Sequence, residues 1–373
     1  MAFNHRRMMA ITRKEFIQIL RDRRSLVLAF VLPVFMLLMF GYAITWDVRD
    51  IATVVVDQDH TATSRQFVDA FAASGYFHMK GHLATAADAP PLFDRGAAKL
   101  ALVIPPGFER DLTHGRGAPV QALVDGADAN TATIVLAYVR ATAQEFAQRS
   151  VLQGRTLPVP IVTESRVWYN EELASRNMIV PGLVATIMMI ISAMLTSLTI
   201  AREWERGTME QLAATPVSRY EVVLGKLIPY LVIGFVDVLI TSLMGVFVFG
   251  VPFRGDVGLL AVLTFLFLVG AMGLGIFVSA IARTQLVATQ LAMLVTYLPA
   301  FLLSGFMYSL DVMPRALRLI SYLFPARYFL VVTRGVFLKG VGIEVLWLQA
   351  LFMVIFATIG LLLAVRAFHK ELE

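Results

Sequence analysis

The chain has 373 residues, is 58% hydrophobic, carries a formal net charge of +5 and contains no cysteine. That apolar share exceeds the roughly 45–50% usual for soluble domains and places the chain among membrane proteins. The missing cysteines exclude disulfides, thiolate metal sites and cysteine nucleophiles, and the positive balance points to basic loops against anionic headgroups, not to nucleic acid.

Residues 1–24 hold Arg6, Arg7, Arg13, Lys14, Arg21, Arg23 and Arg24 against Glu15 and Asp22. Met8, Met9, Ile11, Phe16, Ile19 and Leu20 are interleaved at about helical spacing. The pattern predicts a cytoplasmic amphipathic helix in the membrane interface; the plainer reading is a basic tail that sets topology. Residues 25–45 are apolar and long enough to cross about 30 Å of hydrocarbon. Pro33 should kink this first span. The run exceeds the roughly 7–15 apolar residues of a cleaved leader, so it reads as a retained anchor. Tyr42 and Trp46 then mark its far interface, as Trp168, Tyr169 and Trp347 mark others.

Residues 46–177 change character. Charges, Gly and Pro return, and strands are expected at 51–57, 99–104 and 120–125. Helices are expected at 64–73, with Thr63 or Ser64 as cap, and from Thr131 to about Leu152. The alternation predicts an α/β domain on the side of the membrane opposite the N-terminus. His78 and His82 have a spacing that would suit a metal on a helix, but Gly75 and Gly81 flank them. With His60 and His114 they read as surface histidines, so no metal site is expected.

Further apolar spans follow at 178–200, 222–249, 257–281, 286–308 and 345–365, so that 178–373 is a helical bundle. The predicted fold is a polytopic α-helical membrane protein with six transmembrane helices and an α/β extracytoplasmic domain inserted between the first two. Residues 1–24, 202–220, 282–285 and 366–373 then lie in the cytoplasm with both termini, and all four are positive, the last through Arg366 and Lys370 beside His369. Residues 309–344 would lie outside although they carry Arg315, Arg318, Arg327, Arg334 and Lys339 against Asp311 and Glu344. A short outer helix over 315–323 near the headgroups accommodates them.

Residues 202–219 form a charged island between the second and third spans. Gly207 can break the helix that enters it. Thr208 with Gln211 has capping-box spacing for a short restart, Pro216 ends it, and Ser218 can cap the third span. A short helix along the cytoplasmic face suits docking of a partner; an ordinary charged loop is the alternative.

Residues 203–230, EWERGTMEQLAATPVSRYEVVLGKLIPY, resemble the motif of ABC-2 type transporter permeases, the membrane subunits of ATP-driven exporters. VIPPGFERDL at 103–112 and VDGADANTA at 124–132 resemble the branch with a large outer domain, described as drug or multidrug exporter permeases. The resemblance implies a bacterial inner-membrane permease that pairs with a second copy or a paralogue. It also implies two separate ATP-binding subunits; ATP and magnesium would sit there, with no cofactor on this chain. A periplasmic adaptor is a further partner to consider for the outer domain. Carried to this sequence, the ATPase-contacting positions are Glu203, Glu205, Arg206, Gly207, Thr208, Glu210, Gln211, Leu212, Thr215 and Pro216.

The inventory agrees with a non-enzyme. No G-x-x-x-x-G-K-[ST] occurs; Gly225-Lys226-Leu227 is only a fragment of it. No histidine lies in a span, and Asp237 is the only carboxylate near a span centre. A buried serine–histidine or paired-aspartate site is therefore missing, and no catalytic residue is expected. Asp237 itself is costly at mid-span. It can line a translocation path, hydrogen-bond through Thr241 or Ser242, or carry protons in an ion-coupled carrier. That carrier, and a scaffold acting through the outer domain, are the rival readings.

Overall fold

Asn4 starts the first helix by accepting the Arg6 N–H on its side chain, and α1 runs His5–Arg21. The computed structural model describes residues 3–44, 50–152, 169–170 and 174–368. Trp46, Trp168, His369 and Lys370 lie outside those residues. Contacts divide the chain into two units, 1–45 with 167–373, and 46–166.

α2 covers residues 23–43 and contains a π turn at Val27–Val31. The turn lies where a regular helix would need the missing N–H of Pro33 to reach the Ala29 carbonyl. Its apolar part, Val27–Ala43, is shorter than the other candidate spans.

The 46–166 unit is an α/β layer. Strands β1 (Ile51–Asp57), β2 (Phe77–His82), β3 (Leu100–Ile104) and β4 (Gln121–Val124) lie in the order β2-β1-β3-β4. β1 is parallel to β2 and β3, and β4 is antiparallel to β3. The two central strands are continuous apolar runs, as burial on both faces requires. Helices α3 (Ala62–Ala73), α4 (Pro90–Asp94), α5 (Phe108–Thr113) and α6 (Ala129–Leu152) complete the unit. Phe67, Phe71, Phe77, Phe108 and Phe146 form an aromatic core over the sheet.

Local details differ from the sequence expectations. α3 is capped by Thr61, which exchanges bonds with Ser64 in a capping box, so neither Thr63 nor Ser64 is the cap. β2 was not foreseen: it is an edge strand with weak alternation. It also places His78 and His82 on a strand, about 13 Å apart by strand rise. Among the described residues no group of three metal-ligating side chains occurs.

At the C-terminal end of β1, Asp59 reaches the start of α5. Its Oδ1 accepts the Gly107 and Phe108 N–H groups at 2.6 and 3.1 Å. Its Oδ2 accepts the Glu109 N–H at 3.0 Å and the Thr61 hydroxyl at 2.8 Å. Burial disfavours the charged carboxylate, but these four donors outweigh it and hold Asp59 below the usual aspartate range.

The bundle is built around α7 (Ser175–Glu205), which α2, α9 (Arg219–Phe247), α10 (Val257–Ala282), α11 (Gln285–Leu298) and α13 (Pro325–Arg334) surround. A helix enclosed on all sides must be apolar all round, and 178–200 is. Its Thr186 and Thr196 hydroxyls donate back to the Gly182 and Ser192 carbonyls. Small residues set the close approaches. A Cβ at Gly275 of α10 would stand 2.1 Å from Thr196 Oγ1 of α7, and one at Gly273 would stand 2.7 Å from the Gly360 carbonyl carbon of α14 (Ile343–Ala367).

Among the described residues five helices, Ser175–Glu205, Arg219–Phe247, Val257–Ala282, Gln285–Leu303 and Ile343–Ala367, are long and apolar enough to cross a membrane. Within 309–344 the chain forms two helical pieces, Arg315–Leu323 and Pro325–Lys339, bent by 85°. In the first, α12 (Arg315–Ile320) is exposed and Ser321 after it is buried; the second packs against α7. Several of the basic residues there find partners. Arg318 pairs with Asp311 at 3.6 Å, Arg327 lies over the Tyr322 ring, and Arg334 donates to the Met178 and Gly305 carbonyls.

Candidate coupling site

Between α7 and α9 lies the charged island. α7 ends at Glu205, and Gly207 takes φ +68°, a left-handed turn that its N–H closes on the Trp204 carbonyl at 3.1 Å. No atom lies within 4 Å of where a Gly207 Cβ would be, so backbone conformation alone calls for glycine here. The short helix α8 then runs Met209–Ala214. Met209 and Val217 are buried and hold the segment down, whereas Glu205, Arg206, Gly207, Glu210, Gln211, Thr215 and Pro216 are exposed. Thr208 and Leu212 are half-buried.

The start of α8 is not the expected capping box. The Thr208 side chain makes no cap bond; its hydroxyl donates to the Glu203 carboxylate. Thr208 itself lies in the α region, φ −80° and ψ −6°, not in the extended conformation of a capping residue. The next box does form: Ser218 accepts the Glu221 N–H, and the Glu221 side chain returns to the Ser218 N–H at 2.8 Å.

Beneath the island is a buried ionic cluster. Lys226 of α9, 2% exposed, places Nζ 2.6 Å from Glu15 of α1 and 3.2 Å from Glu203 of α7. Lys14 reaches Glu203 from the solvent side at 2.5 Å. Arg202 pairs with Asp22 at 3.0 Å, and Arg7 donates to the Pro216 carbonyl. The Glu221 carboxylate also accepts the Asn4 N–H at 2.6 Å. Two acids and two lysines in contact leave the core of this cluster neutral, the condition for burying charge at tolerable cost. α1 is therefore bolted to both spans that flank the island, with Met8, Thr12, Glu15 and Ile19 on its packed face. Met9, Phe16, Ile17 and Leu20 are left outside.

Two further ties reach α7 from the α10–α11 turn. Gln285 donates its backbone N–H to Glu205 at 2.7 Å, and Arg283 stacks on Trp204 with its guanidinium 5.2 Å from the ring centroid. One turn deeper, Ser279 Oγ accepts the Ile200 and Ala201 N–H groups, each at 2.9 Å.

The sequence-derived site residues thus divide. Glu203, 5% exposed, is a buried strut, and Thr208 is its partner. Glu205 is turned toward Gln285. Arg206, Glu210, Gln211, Thr215 and Pro216 share the open surface, with Leu212 at its edge. Glu15, Lys14, Lys226 and Glu221 were missed. Lys226 carried a signal: a lysine in an apolar span demands a carboxylate partner.

Asp237 lies apart, on α9 and 2% exposed. Thr241 donates to its backbone carbonyl, not to its carboxylate, and Ser242 makes no bond to it, so the hydrogen bonds expected of these hydroxyls are not formed. Thr241, one turn on and on the same buried face, donates back into its own helix instead.

A bundle of apolar helices, broken by an exposed short helix over a buried ionic clamp, marks a helical membrane protein. Residues 23–366 match the family described as ABC-2 family transporter protein, and the chain belongs to that family. It is 36% identical over 360 residues to "Probable multidrug ABC transporter permease YbhS" of Escherichia coli (strain K12), covering 94% of this chain and 93% of that one. It is 28% identical over 341 residues to "Probable multidrug ABC transporter permease YbhR" of the same organism, covering 91% and 92%. "Inner membrane transport permease YhhJ" of Escherichia coli (strain K12) is 28% identical over 324 residues, 85% of each chain.

Proposed function

We propose that the chain is the permease of a bacterial inner-membrane exporter, driven by two separate ATP-binding subunits and working as a dimer with a second copy or a paralogue. Six spans, 25–45 being the first, leave both termini cytoplasmic and the 46–177 domain outside, where a periplasmic adaptor could meet it. The exported molecules are amphiphiles such as drugs or lipids, in keeping with the multidrug names of two relatives. Asp237 lines the path.

One observation carries this reading: α8 and the two residues after it leave Glu210, Gln211, Thr215 and Pro216 exposed while its foundations join α1, α7 and α9. A motor pressing on α8 moves three helices at once. Co-purification with the ATP-binding subunit tests it. Glu210→Lys and Gly207→Pro should each weaken association by about tenfold or more, the worth of roughly 1.4 kcal/mol. If both leave association and export intact, the assignment of this surface fails.

A further inference from the structure

Within the 46–166 unit a trough of about 520 Å³ lies between α3 and α6, with the end of α5 beside it. That volume is within the range of small-ligand sites. Thr63, Gln66, Ala70, Ala73 and Ser74 line it from one face of α3 and its C-cap. Thr142, Glu145, Phe146 and Arg149 line it from one face of α6. Ala70 and Ala73 put little bulk into the space, and the α3 wall runs for about 16 Å of helix rise.

The walls offer hydrogen bonds of both kinds. Thr63 donates to the Glu109 carboxylate at 2.5 Å, Ser74 to the Phe71 carbonyl at 2.7 Å, and Thr113 to the Glu109 carbonyl at 2.8 Å. Each of these hydroxyls has spent its one proton and keeps lone pairs to accept with. Thr142 is different. A helical threonine can donate to the carbonyl four residues back, as Thr186 and Thr196 do. The Thr142 side chain is 7% exposed, yet its hydroxyl has no partner among the described residues and is not sealed off. It opens on the trough as a free donor. Gln66, exposed on the facing wall, adds an amide that donates and accepts. Glu145 and Arg149 pair at 2.5 Å, so the charges on the walls cancel. Leu112 and Phe146 supply apolar surface, with Phe146 backed by the Phe67 ring at 5.1 Å.

We propose that this trough binds a neutral di- or oligosaccharide. Sugar hydroxyls both donate and accept, and sugar ring faces present C–H groups to apolar surface. A metal or an inorganic anion finds no unpaired charge on these walls. A purely apolar molecule would leave the Thr142 and Gln66 donors unmet. The site lies wholly in the 46–166 unit and does not depend on the export reading. A free sugar and a glycolipid headgroup share this chemistry, and two arms of the test separate them.

The whole permease, in nanodiscs and without ATP, carries Ala73→Cys inside the trough or Ala72→Cys on the same helix outside it. The chain has no other cysteine. Reaction with a small maleimide is timed with maltose or chitobiose in solution, with diglucosyl diacylglycerol in the disc, and with hexanol. At least one sugar should slow the Ala73→Cys reaction threefold or more and leave Ala72→Cys unchanged; the arm that does so identifies the source. Thr142→Val should raise the sugar concentration for half-protection by about fivefold, the worth of one hydrogen bond, and Thr142→Ser should not. Gln66→Ala should raise it by about threefold. Protection by none of the three sugars, equal protection of both cysteines, or protection by hexanol as strong as by sugar would each overturn the proposal. Unchanged half-protection in Thr142→Val would overturn it too. The Ala72→Cys rate without sugar identifies misfolded variants. If Thr142→Val misfolds, the exposed Gln66 carries the test, and unchanged half-protection in Gln66→Ala then overturns the proposal.

Discussion

Lys226 Nζ stands 2.6 Å from Glu15 Oε1, joining the N-terminal helix to the inner part of α9 across 211 residues of sequence. With Glu203 at 3.2 Å, this contact ties three helices in one buried cluster. Removing one partner strands a buried charge and costs about 3–5 kcal/mol. Lys226→Met should therefore release α1, and trypsin should cleave within residues 1–24 far faster. Glu15→Gln together with Lys226→Met leaves only Glu203, still held by Lys14, and should restore part of the protection. The chain has no cysteine, so a single cysteine placed at Met8 would report the same release by labelling.

Gly207→Ala tests the turn rather than the contact. The new methyl meets nothing, so its whole cost is the left-handed backbone, about 1–2 kcal/mol. Gly207→Asn, which tolerates that region better, should lose less. We expect ATPase stimulation in the assembled complex to fall in the order glycine, asparagine, alanine.

How far the island was legible depended on range. The Gly207 break and the Ser218–Glu221 box involve residues within a few positions of each other, and local rules reach that far. The Thr208–Gln211 spacing satisfied the same rule and failed, because Thr208 stays in the α region and not in the extended conformation of a cap, with its hydroxyl donated to Glu203 of the preceding helix. Glu15 could not be placed by any local pattern: in sequence it is a lone acid among arginines, and only the fold sets it against Lys226. β2 was overlooked for a related reason, since an edge strand is half exposed and needs little apolar content.

Gly275→Val should fail by overpacking. Its side chain would collide with Thr196 Oγ1 and the Ala193 carbonyl on α7, neither of which can retreat from a helix buried on all sides. The expected loss is about 1–3 kcal/mol or more, read as a lower melting temperature in detergent. Gly258→Val, on the exposed first turn of α10, should change little.

Asp59 gives the 46–166 unit an acid-sensitive corner. Its folded-state pKa lies below the unfolded value, so its stabilisation is full above about pH 4 and fades as pH falls through the folded value. Amide exchange at Gly107, Phe108 and Glu109 should accelerate below about pH 4, beyond the intrinsic pH effect. Asp59→Asn should produce the same acceleration at neutral pH, at a cost of about 1 kcal/mol for a lost helix cap. In open α/β sheets the crevice outside the strand C-termini is where ligands bind. Here the protein fills the helix start in that crevice with its own carboxylate.

Asp237→Asn separates the export reading from its ion-coupled rival. In proteoliposomes without a proton gradient, ATP-driven transport by the variant should persist, with at most a few-fold change in rate. Complete loss of transport, together with gradient-driven activity in the parent protein, would favour the carrier.

Glu221 holds two things at once, the first turn of its own helix and the backbone of Asn4. Glu203, at the other end of the island, is held by two lysines. Residues 204–220 are thus a strap pinned at both ends to the same block. A push on such a strap cannot be absorbed as slack; it becomes torque on the block. On the proposed reading, the clamp would convert a local push on six residues into a tilt shared by α1, α7 and α9, and the arm of that lever would be the length of the spans themselves.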